Sequence, residues 1–125
     1  MIIVVTAIVL LGLIFTLYLL VGLGAPLGFL VWGGKYDGKL PKDIRTKSFL
    51  TLPIQLLAIF TLLKLGDLIK GEDMTLLIIF GYVFMIYFFL NVFMNLLSKS
   101  KLEKVIMTPT AFIVFLGFVY VLFLR

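Results

Sequence analysis

The sequence predicts an all-α membrane protein: a single domain over residues 1–125 built as a bundle of four transmembrane helices. Three observations carry that expectation. Hydrophobic residues make up 63% of the chain and charged residues only 14%, whereas a soluble domain is about half apolar and about a quarter charged. The apolar residues form four continuous runs and lack the alternation of a spanning β-barrel. The charged residues collect between those runs, and the mean hydropathy is +1.27. Crossing about 30 Å of hydrocarbon at about 1.5 Å per residue takes about 20 helical residues.

The spans are expected at residues 2–24, 49–65, 74–97 and 105–124. The first run stays apolar as far as Trp32, but Pro26 cannot donate to a helix ladder and ends or kinks it, with Gly22, Gly24 and Gly28 around the break; one long tilted helix is the alternative. The stretch Leu27 to Trp32 is then expected along the membrane interface, with Trp32 and Tyr36 in the aromatic belt. The first run has no basic leader and no small-residue cleavage site, so it reads as an uncleaved span. Ser48 is the expected N-cap of the second span, and Pro53 predicts an early kink. Thr108-Pro109 predicts a similar interruption near the start of the fourth. Span three carries seven of the aromatics, including Phe80, Phe84, Phe88 and Phe93, on nearly all helix faces. They read as packing and lipid-facing surface.

Orientation follows from lysine and arginine. The first and third loops hold eight cations (Lys35, Lys39, Lys42, Arg45, Lys47, Lys99, Lys101 and Lys104) against three on the other side (Lys64, Lys70 and Arg125). The positive-inside rule then predicts both termini outside and the basic loops in the cytoplasm. With that orientation the intramembrane polar residues Tyr18, Gln55, Tyr87, Asn91 and Asn95 gather toward the cytoplasmic leaflet. Tyr87, Asn91 and Asn95 are spaced by four and share a helix face. They suggest a pocket for a lipid headgroup, a small anion or a peptide segment. Helix–helix hydrogen bonding, at about 0.6–2 kcal/mol per contact, would use the same residues, and the sequence leaves both roles open.

The first loop is the most distinctive segment. Gly33 and Gly34 permit turns that could aim backbone N–H groups at an anion. Lys35, Lys39, Lys42, Arg45 and Lys47 would favour anionic headgroups, and they also suit a topology determinant resting on anionic lipid. The P-loop spacing is missing. The run Leu23-Gly-Ala-Pro-Leu-Gly28, followed by Trp32-Gly-Gly-Lys35, Gly38, Leu40-Pro41, Arg45 and Ser48, resembles an uncharacterised family of small bacterial four-span membrane proteins. The resemblance covers residues 22–48 in detail and the four-span layout more loosely. It implies a bacterial plasma membrane and the same topology, with no activity and no catalytic residue to transfer.

The chain has no cysteine and no histidine, which removes disulfides, thiolate nucleophiles, Cys/His metal sites and histidine bases. The carboxylates Asp37, Asp43, Asp67, Glu72, Asp73 and Glu103 all fall in or near loops, so the sequence offers no placed catalytic acid and no ionisable group inside a span for a coupled transporter. The net charge of +5 does not fall in a helical stripe or nucleic-acid motif. The expectation is a non-enzymatic accessory, regulatory or interaction component without metal or cofactor. Its partners would be the bilayer, anionic headgroups, and a membrane protein or a second copy of itself. The alternative is a small oligomeric channel or transporter with a neutral polar lining.

Overall fold

The computed structural model describes residues 2–32, 36, 38–68 and 75–124. Among these, every regular element is helical: α1 (Ile2–Gly22), a 3-10 turn (Gly28–Leu30), α2 (Lys42–Leu50), α3 (Leu52–Leu65), α4 (Thr75–Leu96) and α5 (Lys101–Val119), which continues as a wider π-type turn over Tyr120–Leu124. α2 and α3 meet at Thr51. The four resulting helices, of 21, 24, 22 and 24 residues, are long and apolar enough to cross a membrane.

The exterior is as apolar as the interior. On α1, Val4, Ala7 and Leu11 are buried while Val5, Val9 and Leu13 are exposed, and on α4 Ile79, Val83, Ile86 and Leu90 are exposed. A helix in water would carry polar residues on that outer face. α1 packs against α3 and α5, and α4 packs against the same two, so α1 and α4 lie diagonally opposite. Neighbours run antiparallel. A Cβ added at Gly117 would sit 2.7 Å from the Ala7 Cβ, and one at Gly81 would sit 3.0 Å from Leu65 Cδ1. These contacts join the C-terminal part of α5 to the N-terminal part of α1, and the start of α4 to the end of α3. Small residues there let the backbones approach, which is what favours helix association when no water drives it.

The bundle therefore has a terminal end, with Ile2, the end of α3, the start of α4 and Leu124, and a loop end, with residues 23–32 and 38–41, α2 and residues 97–100. α1 stops where expected. Ala25 N–H donates to the Leu20 carbonyl and Gly24 N–H to Val21, with Gly24 at φ +106°, a left-handed cap followed by Pro26. The end of α3 repeats the pattern, Leu68 N–H to Leu63 and Asp67 N–H to Lys64, with Asp67 at φ 59°.

Three local expectations change. The second helix begins at Lys42, well before residue 49. Ser48 is accordingly no N-cap: it is buried inside α2, and its hydroxyl donates to the Ile44 carbonyl at 3.1 Å. The break comes at Thr51, because Pro53 lacks the N–H that would bond Phe49; Thr51 Oγ1 instead donates to the Ser48 carbonyl at 2.7 Å. The fourth helix begins at Lys101, capped by Ser100 Oγ, and passes through Pro109 without interruption. Side chains support the carbonyls around that proline: Thr110 Oγ1 donates to Ile106 O at 2.7 Å and Asn95 Nδ2 to Met107 O at 3.4 Å. Residues 27–32, at the loop end, fold back onto α1 and α2. Val31 is buried with Val21 and Leu40, against Leu17 and Ile44.

Candidate functional site

All four spans place inward positions at alternating steps of three and four: Val4, Ala7, Leu11, Ile14, Tyr18 on α1; Ala58, Leu62, Leu65 on α3; Phe84, Phe88, Asn91, Asn95 on α4; Val114, Phe118, Val121 on α5. In the terminal half these positions form one apolar core, where Phe118 stacks on Phe84 and Phe88 with ring centroids 5.7 and 5.9 Å apart. In the loop half the same phase carries polar groups around a cavity of about 130 Å³.

Its floor is the top of the core, namely Leu11, Ala58, Phe84 and Phe88. Its walls are Tyr18 from α1, Gln55 from α3, Tyr87, Asn91 and Asn95 from α4, and Glu103 and Met107 from α5; Leu30 of the 3-10 turn closes the loop end. The lining residues most open to the exterior are Ile54 on α3 and Tyr87 on α4, each 54% exposed, so the mouth lies between those two helices. α3 and α4 meet closely at Gly81, near the terminal end, and the mouth lies further toward the loop end.

The five polar residues singled out in the spans, Tyr18, Gln55, Tyr87, Asn91 and Asn95, are thus brought together on one cavity. Asn95 is buried and reaches across to α5. Gln55 Nε2 donates to Thr51 Oγ1 at 3.2 Å, while its Oε1 is buried without a hydrogen-bond partner. Gly12 and Thr16, also spaced by four, do not join them: Gly12 faces open space, and Thr16 returns its hydroxyl to the Gly12 carbonyl.

Glu103 overturns the expectation that no ionisable group lies inside the bundle. It is 4% exposed and lines the cavity from the first turn of α5. Ser100-Lys-Leu-Glu103 is a capping-box sequence, in which the glutamate would turn back to the Ser100 N–H. Ser98 Oγ already accepts that N–H at 3.1 Å, and the Glu103 side chain faces the interior. The missed signal was helical phase: Glu103 precedes Met107, Ala111, Val114 and Phe118 on the inward stripe.

Comparison with protein-family models, curated proteins and solved structures gives no match for this chain. The site therefore has to be read from its own geometry.

The first loop contributes a lid and a separate group of cations. Gly28 N–H donates to the Gly38 carbonyl at 2.9 Å, and a Cβ at Gly28 would lie 2.5 Å from that oxygen, so glycine is required there. Trp32, at φ 56°, donates from Nε1 to Ser48 Oγ at 2.9 Å and sets its ring edge-to-face on Tyr18, 6.3 Å between centroids. This backbone conformation is an outlier for a bulky residue. It carries the indole to the wall behind the cavity. Lys39 and Arg45 converge on Gly24, where the carbonyl end of α1 favours cations. Lys42 and Lys47 are exposed on α2. Gly33, Gly34, Lys35 and Asp37, like Lys70, Glu72, Asp73 and Arg125, lie outside the described residues. Among the described residues no lysine or arginine lines the cavity.

Proposed function

We propose that this protein is a non-enzymatic integral membrane component that holds a small polar group, from a lipid headgroup or a membrane partner, in its loop-end cavity. One observation carries the reading: Tyr18, Gln55, Asn91, Asn95 and Glu103, drawn from four helices, converge on a cavity whose mouth faces sideways between α3 and α4. A ligand with a hydrocarbon tail can enter there while the tail stays in the bilayer. The excess of cations on the loop side supports an orientation with both termini outside and the cavity in the cytoplasmic leaflet. The resemblance of residues 22–48 to bacterial four-span proteins supports a bacterial plasma membrane. The cations of α2 and the first loop are the natural contacts for anionic headgroups, at about 1 kcal/mol each near the surface.

Glu103 favours a second reading, a small coupled transporter, because such proteins keep an ionisable group on the substrate path. The Phe84–Phe118–Phe88 stack opposes it in the monomer, since it closes the bundle beyond the cavity floor. Gentle extraction followed by native mass spectrometry decides between them. A retained lipid or partner, lost in Asn91→Leu, is the expected result. A protein that emerges bare and moves solute across liposomes, with flux abolished by Asn91→Leu, would establish the transporter. Orientation is checked in the same cysteine-free background: Lys39→Cys should be shielded from an impermeant thiol reagent in intact cells, and Lys70→Cys should react.

A further inference from the structure

We infer that the group held in the cavity is the free hydroxyl of an uncharged lipid, and this inference rests on the binding role proposed above. The first argument is the orientation of the amides. Thr51 Oγ1 gives its one proton to the Ser48 carbonyl, so toward Gln55 it can only accept. The Gln55 amide is thereby fixed with Nε2 on Thr51 at 3.2 Å, and Oε1 is left as a buried acceptor without a hydrogen-bond partner. Asn95 is oriented in the same way, with Nδ2 on the Met107 carbonyl, which also can only accept. Both amides line the cavity, hold a nitrogen against the protein and keep an oxygen as acceptor. A buried acceptor that lacks a partner gains most from an O–H or N–H donor.

The second argument is the mixture of donors and acceptors. Asn91, one turn from Asn95 on the same wall, brings an amide that does both, and Tyr18 and Tyr87 bring phenols that do both. Glu103 already has an interaction within the protein, which leaves recognition to these neutral groups. A hydroxyl matches them because it donates and accepts at one atom. An ammonium only donates, and a phosphate diester only accepts. The rest of the wall is hydrocarbon, including Leu11, Ile14, Ala58, Phe84 and Phe88. A charged head would give up its water against those side chains at high cost, whereas a hydroxyl gives up less and recovers it in hydrogen bonds.

Size and access set the last limit. A cavity of about 130 Å³ is close to the ~150 Å³ that accommodates benzene in an engineered apolar site. A hydroxymethyl end and the first few atoms of its chain fit within it, and a complete phosphorylated headgroup does not. The chain leaves through the mouth between Ile54 and Tyr87 and continues in the bilayer.

The hydroxyl can come on a diacylglycerol or on a long-chain alcohol, and the test separates the two. Trp32 is the only tryptophan and touches Tyr18 on the cavity wall, so its fluorescence reports occupancy. The protein is placed in phosphatidylcholine nanodiscs doped with dioleoylglycerol or farnesol, each paired with its acetate ester, in which the hydroxyl is blocked. Further nanodiscs carry phosphatidylglycerol or phosphatidylethanolamine. Fluorescence is followed against the fraction of added lipid, and the protein is then extracted and weighed intact. Retention of dioleoylglycerol over its acetate by about tenfold supports a diacylglycerol, and the same result with farnesol supports a long-chain alcohol. Gln55→Met and Asn91→Leu should each weaken the retained lipid by about fivefold, and either one carries the test if the other fails to fold. Equal retention of alcohol and acetate, or retention unchanged in the folded variants, overturns the hydroxyl assignment. Preference for phosphatidylglycerol or phosphatidylethanolamine overturns the uncharged assignment and leaves the binding role standing. No retained lipid in any nanodisc overturns both the inference and the lipid-binding role.

Discussion

The two halves of the bundle share one helical phase and fill it in opposite ways. Along α4 the inward residues run Leu77, Gly81, Phe84, Phe88 and then Asn91, Asn95; along α5 toward the loop end they run Val121, Phe118, Val114 and then Met107, Glu103. The terminal half is close-packed, with ring stacking and a glycine-to-alanine approach between α5 and α1. The loop half leaves a polar cavity. The difference shows where association energy resides. In hydrocarbon, apolar side chains gain little from leaving the solvent, so contact and close approach hold helices together. A buried polar group lacking a partner costs about 1–3 kcal/mol. The terminal half supplies the contact, and in the loop half Asn95 Nδ2 bridges α4 to the Met107 carbonyl of α5 beside the cavity.

The comparison can be broken at several points. The largest effect is expected from Gly117→Leu, which must push α1 and α5 apart where their backbones are closest. About 3 kcal/mol of stability should be lost, read as a lower unfolding midpoint in detergent. Gly12→Ala, facing open space, should change it by less than about 1 kcal/mol. Next comes Gly28→Ala, whose methyl meets the Gly38 carbonyl. The loop should open at a cost of about 2 kcal/mol, and proteolysis should cut within residues 23–41 while the terminal half stays intact. Trp32→Phe removes the hydrogen bond to Ser48 and should cost about 1 kcal/mol, with weaker ligand retention as Tyr18 loses its support.

The four helices were legible because each contains an apolar run near the length needed to cross hydrocarbon. Their beginnings were harder to read. Residues 42–48 and 101–104 are charged, and hydropathy assigns them to loops, yet Lys42–Leu50 and the first turn of α5 are helical because helices continue past the apolar stretch. The grouping of Tyr18 with Asn91 and Asn95 was visible from depth and from spacing by four. Glu103 was read by its charge when its phase with Met107, Ala111 and Val114 was the informative property. The contact of Trp32 with Ser48 spans sixteen residues and depends on a left-handed backbone at Trp32, for which the sequence gives no local signal.

Because the chain lacks cysteine, two near-isosteric single substitutions probe the contrast between the halves directly. Asn91→Cys lies on the cavity wall and Val114→Cys in the terminal core. With folded protein and a small cationic thiol reagent, the account predicts rapid modification at position 91 and protection at position 114 until the protein unfolds. Equal protection at both positions, or faster reaction at 114, would contradict it.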